Sequence, residues 1–166
     1  MEFEYFLASG LVVLIVGISF LWNRINFIKK GNIAIATVVK LEMRPDSEDN
    51  PYYIPFFQFT SRYNNEIIYQ HSDTQSRDTW VLRQTAKVAY KEGFFNDDHE
   101  ILLLTFNNVF GLSTILLNVG MVLLIISGSC YWNVSGYTPF YIVLGSITIV
   151  TLTLRIWANR FFKNLE

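Results

Sequence analysis

From Val109 to Trp132 the chain reads VFGLSTILLNVGMVLLIISGSCYW, with no charged residue in the run. Wound as a helix at about 1.5 Å per residue, such a stretch crosses a hydrocarbon core of about 30 Å with some tilt. Two further windows are equally free of charge, Tyr5 to Trp22 and Thr138 to Leu154. One such window could be the buried helix of a soluble domain. Three exceed what this chain can bury, because only Asn23 to Asn108 separates the first from the second, enough for one small domain. The apolar fraction of 51% is close to that of soluble proteins. It is therefore the distribution of charge, more than its total, that predicts a membrane α+β protein. The predicted parts are an N-terminal anchor helix with an interfacial extension (1–30), a small antiparallel β-domain (31–108) and a transmembrane helical hairpin with a short basic tail (109–166).

Sidedness follows from the basic residues, which are retained on the cytoplasmic side of a bilayer. All 13 fall in segments that three crossings place on one side: Arg24, Lys29 and Lys30 after the first span, seven more in the middle region, and Arg155, Arg160 and Lys163 at the end. The N-terminal segment has only Glu2 and Glu4, and the loop Asn133 to Tyr137 has no charge. The expected topology puts the N-terminus outside and the β-domain and C-terminus in the cytoplasm. Tyr5, Trp22, Tyr131, Trp132, Tyr137, Tyr141 and Trp157 fit headgroup-level anchors. The first span lacks a basic leader and a small-x-small cleavage site, so it reads as an uncleaved anchor.

In lipid, helices associate where small residues let backbones approach. Gly10 and Gly17 share one face of the first span, Ser113, Gly120 and Ser127 one face of the second, and Gly145, Ser146 and Thr148 give the third a small or weakly polar surface. A bundle within one chain is the expected use of these positions, with a homodimer interface as the alternative. Asn118, the one strongly polar side chain deep in a span, should face another helix through a structural hydrogen bond. The spans hold no carboxylate, His or Lys of the kind that a proton or ion path uses.

In the middle region Asn23 to Lys30 prolongs the first helix and Gly31 stops it. Strands are predicted at Ile33 to Val39, Tyr52 to Thr60, Glu66 to Gln70, Ala86 to Lys91 and Glu100 to Phe106, with a hairpin turn at Asn64-Asn65 and a helical turn near Trp80 to Gln84. Short links imply an antiparallel meander, barrel-like or a curled sheet, with a core of Ile35, Val39, Phe57, Phe59, Ile67, Tyr69, Val88, Tyr90 and Leu103. Phe56, Phe94 and Phe95 are the candidate partner surface.

The residues of known chemistries do not converge. His71 and His99 lie in different segments without a nearby cysteine, Ser72 and Ser76 are not in a nucleophile elbow, Asp97 and Asp98 are adjacent as in a turn, and Gly31 and Gly93 are isolated. The acidic run Arg44 to Pro51 lacks calcium-loop spacing. The lone Cys130 reads as packing. A formal charge of −1 without a basic stripe implies no nucleic-acid partner. No cofactor or metal site is expected.

The order of short motifs, Gly31 with Val38-Val39, Tyr53-Ile-Pro55-Phe-Phe-Gln-Phe59 and Lys87-Val-Ala-Tyr90, followed by two closing helices, resembles the bacterial membrane-protein family grouped as domain of unknown function 3592. The segment after Tyr90, Lys91-Glu-Gly-Phe-Phe-Asn-Asp97, lacks the proline-bearing turn of that family. The resemblance implies the anchor, β-domain and hairpin layout in a bacterial inner membrane, and no activity. The expectation is a non-enzymatic protein whose partners are the lipid bilayer and a protein, as an accessory or scaffold subunit. The alternatives are an immunity protein against a membrane-acting toxin, and a transporter-associated subunit or cryptic enzyme.

Overall fold

The computed structural model describes residues 2–44, 52–71, 80–92, 99–132 and 138–165. They form α1 (Glu2–Lys30), β1 (Asn32–Arg44), β2 (Tyr52–Thr60), β3 (Glu66–Gln70), β4 (Thr85–Glu92), β5 (His99–Leu103), a π-helical turn (Asn107–Gly111), α2 (Leu112–Tyr131) and α3 (Thr138–Lys163). The chain divides into two compact units, one of Met1–Asn26 with Thr105–Glu166 and one of Phe27–Leu104.

The first unit is helical. Its three helices are long and apolar enough to cross a membrane. Gly10 and Gly120 bring α1 against α2: a Cβ on Gly120 would stand 2.6 Å from Leu14 Cγ, and one on Gly10 would stand 3.2 Å from the Gly120 carbonyl oxygen. Gly17 meets Leu116 and Leu117 in the same way. Ser127 Oγ donates to the Phe3 carbonyl at 2.9 Å. α2 also contacts α3, where no residue of the most apolar window is buried. At the start of the π-helical turn that leads into α2, Thr105 accepts from the Asn108 and Val109 amides, through its hydroxyl and carbonyl oxygens respectively. This cap takes Thr105 and Phe106 into the first turn of a helix, so the last strand ends at Leu103, short of the predicted Phe106.

The second unit is a curled, five-stranded antiparallel sheet of order β3-β2-β1-β4-β5. β1 lies in the centre, because β4 returns to it past β2 and β3. The strands are antiparallel as predicted, but the order differs from a sequential meander. Gly31 ends α1 by donating to the Phe27 carbonyl at 2.8 Å. A Cβ there would lie 3.0 Å from both that oxygen and the Tyr90 carbonyl oxygen, which explains the glycine. The β2–β3 turn closes through Asn64 N to Ser61 O and Ser61 N to Asn65 O, with Asn64 in the left-handed region at φ 65°.

The core comprises Ala36, Val38, Phe57, Phe59, Ile67, Trp80, Val88, Tyr90 and Leu103, with Ala34, Leu41 and Tyr69 packed against it. Ile35 and Val39, predicted in the core, are instead 67% and 42% exposed. Both faces of Ile33-Ala-Ile-Ala-Thr-Val are apolar, so hydrophobicity does not choose between them; volume does. Ala36 pairs with Ala86 and Ala34 with Val88, and above these small side chains the Phe59 ring from β2 meets the Tyr90 ring from β4 at 5.0 Å. Isoleucines facing inward would fill that space. Val38 pairs with Phe57 and Lys40 with Phe56, which leaves Val39 as an extra residue in a β-bulge. The bulge moves the inward face from even to odd positions, so that Leu41 joins Ala34, Ala36 and Val38 on the core side.

Candidate partner surface

Residues singled out by sequence fall in several places. Phe56 is half-buried and carries the Lys40 ammonium 5.1 Å above its ring. Phe94 and Phe95 lie outside the described residues, as do Ser72, Ser76, Asp97, Asp98 and the whole of the acidic run after Arg44. Gly10, Gly17, Gly120 and Ser127 are engaged between α1 and α2, and Ser113 is buried. Gly145 is exposed, and no atom lies within 4 Å of the place a Cβ would occupy there, while Ser146 and Thr148 donate back to carbonyls of their own helix. Asn118 Nδ2 donates to Thr151 Oγ1 of α3 at 3.2 Å.

His71 is buried at the end of β3. Its Nδ1 is 2.9 Å from the Tyr69 hydroxyl, and its ring meets the Phe57 ring edge-on. Trp80 stands across Phe57 at 4.9 Å, also edge-on. His71 is thus integrated with the core, in contrast to an exposed loop position. His99 begins β5, on the opposite edge of the sheet from β3. Among the described residues no group of three or more His, Cys, Asp or Glu side chains could hold a metal ion. The hydroxyl of the buried Tyr90 accepts from the Arg62 amide at 2.7 Å, which ties β4 to the β2–β3 turn.

The outward face of the sheet presents what the aromatic candidates do not. Thr37 pairs with Gln58, and Gln58 with Ile68, so these three side chains share one face with Ile33 and Ile35. Ile35 is 67% exposed, Ile68 61% and Ile33 39%. The side chains between them are polar, and Gln58 Nε2 donates to Glu66 at 3.0 Å. Aliphatic side chains in water on a rigid sheet are hydrophobic-contact positions. They escape a sequence reading because alternating Ile and Ala look the same whichever set faces inward. On a third segment, the turn Val81–Gln84, Val81 and Leu82 are also exposed.

No family model, curated protein or solved structure matches the chain.

Proposed function

We propose that this is a non-enzymatic bacterial inner-membrane protein, similar in layout to the family grouped as domain of unknown function 3592. Its β-unit binds a protein partner in the cytoplasm, as an accessory or scaffold subunit of a membrane complex. The observation that carries the reading is the outward sheet face, where Ile33, Ile35 and Ile68 stand exposed beside Thr37 and Gln58. A partner covering that face removes aliphatic surface from water at about 25 cal/mol per Å². The cytoplasmic side is supported by the confinement of all 13 basic residues to the region between the first two spans and the C-terminal segment.

Photo-crosslinking in native membranes tests the partner. A crosslinker at Ile35 or Ile68 should capture one stoichiometric protein, and Ile35→Asp should abolish capture from position 68. Capture of lipid alone would sink the reading. Reporter fusions at Asn50 and Gly136 test the side and should report cytoplasm and exterior respectively; the reverse pattern would overturn the orientation.

A further inference from the structure

Basic side chains of the helical unit gather at the end where α2 begins. Gly10 meets Leu124 and Gly17 meets Leu116, so α1 runs antiparallel to α2 and brings Arg24 to that end. Asn118 of α2 bonds Thr151 of α3, and the Phe110 ring meets the Trp157 ring at 5.6 Å. α3 therefore also runs against α2 and carries Arg155, Arg160 and Lys163 to the same end. All four basic side chains are exposed, and none has an ion pair among the described residues. The described carboxylates of this unit, Glu2 and Glu4, belong to the opposite end of α1.

Along α3, Arg155, Asn159 and Lys163 recur at four-residue spacing, so they share one face of the helix, and all three are exposed. Arg160 is turned about 140° from Arg155 around the helix axis. The opposite side of this helix end is fixed: Ala158 is fully buried, and the buried Phe110 ring meets Trp157, Phe161 and Phe162 edge-on. The Arg155 guanidinium stands 5.7 Å from the centre of the Phe106 ring, a contact that orients it while its N–H groups stay available at the edge. α3 is itself long and apolar enough to cross a membrane, and its uncharged run ends at Leu154. Arg155 thus stands where hydrocarbon gives way to headgroups. A guanidinium at that depth without a protein counter-charge is costly, and a lipid phosphate supplies the missing charge.

We infer that Arg155 and Asn159 hold the phosphate of one anionic phospholipid, with Lys163 adding charge one turn further from the hydrocarbon. The site belongs to the helical unit alone and is independent of the Ile35 and Ile68 face and of any protein partner. Native mass spectrometry of the full chain in detergent, titrated with phosphatidylglycerol or with phosphatidylethanolamine, tests it. The first phosphatidylglycerol should bind more tightly than the first phosphatidylethanolamine. Arg155→Gln should weaken that step about fivefold, the effect of one basic residue at an anionic surface, and leave phosphatidylethanolamine binding unchanged. Asn159→Leu changes no charge and no ring contact; it should weaken phosphatidylglycerol binding as well, and it keeps the test readable if loss of the Phe106 contact disturbs the fold. Arg160→Gln, off the stripe, should have a smaller effect than Arg155→Gln. Equal losses for Arg155→Gln and Arg160→Gln with none for Asn159→Leu overturn the site and leave a general attraction of charge. Equal affinity of the parent chain for the two lipids also overturns it. Displacement of the lipid by inorganic phosphate assigns the residues to free phosphate and overturns the lipid as occupant.

Discussion

Asn118 on α2 donates through Nδ2 to Thr151 Oγ1 on α3 at 3.2 Å, while the other end of the same amide, Oδ1, is buried with no hydrogen-bond partner among the described residues. One side chain thus supplies an interhelical bond and an unsatisfied acceptor. Its two ends act on stability in opposite directions. Thr151→Val leaves the whole amide unpaired and should cost about 0.6 to 1.7 kcal/mol in a micelle unfolding titration. Asn118→Leu removes the bond and the orphaned oxygen together and should be close to neutral. A larger loss for Asn118→Leu than for Thr151→Val would show that the amide has a further role.

Glycines in the spans divide by what surrounds them. A Cβ on Gly120 meets Leu14 at 2.6 and 2.8 Å and the Gly10 carbonyl oxygen at 3.1 Å, so Gly120→Ala forces α1 and α2 apart and should cost about 1 to 3 kcal/mol. Gly145→Ala meets nothing within 4 Å and should leave stability unchanged or raise it slightly. Thermal unfolding of both variants in detergent checks the pair. Equal losses would mean that Gly145 faces a second copy of the chain, which would revive the dimer alternative.

On β1 the two faces should respond in opposite ways to one substitution. Ala36 is fully buried beneath the Phe59 and Tyr90 rings, and Ala36→Asp places an unpaired carboxylate there, so the sheet should fail to fold. Ile35→Asp, one residue earlier, points outward and should leave the far-ultraviolet dichroism of the sheet intact. Loss of structure in both would mean that the outward face is covered within the chain.

The titration of Glu42 is clearly shifted. The Arg44 guanidinium, at 3.1 Å, and then the Lys40 ammonium, at 3.4 Å, hold its carboxyl below the ordinary carboxylate range. A depressed folded value means that the contribution to stability is present above the ordinary carboxylate pKa and fades as pH falls through the lowered one. The trio is exposed to water, so the effect is small and salt-sensitive. In an NMR titration Arg44→Gln should move the Glu42 midpoint upward and Lys40→Gln should move it less; an unchanged midpoint in both would contradict the assignment of cause.

Several elements are legible in the sequence because one physical signal decides each. Hydrocarbon excludes charge, so the three uncharged windows locate α1, α2 and α3. Gly31 stops a helix because two carbonyl oxygens leave no room for a Cβ, and Asn64 turns a hairpin because asparagine tolerates a positive φ. The partner surface is less legible. Phe56 stands out in the sequence as a large apolar side chain, yet it is half-buried beneath Lys40, whereas Ile35 and Ile68 face solvent.

By itself the sequence determined where the chain can cross a membrane, that a β-rich segment separates the first crossing from the second, and which segments form strands. These follow from local chemistry, namely the solvation of charge and the shape of β-branched and aromatic side chains. Tertiary structure alone decided that β1 is central, that Ala34 and Ala36 face inward, and that Val39 forms a bulge. It also decided that the segment expected as a helical turn near Trp80 is a tight turn, closed by Gln84 N donating to Val81 O, with Val81 and Leu82 exposed. Those outcomes depend on whether rings from β2 and β4 can meet above β1, a question of volume between residues that are distant in the chain.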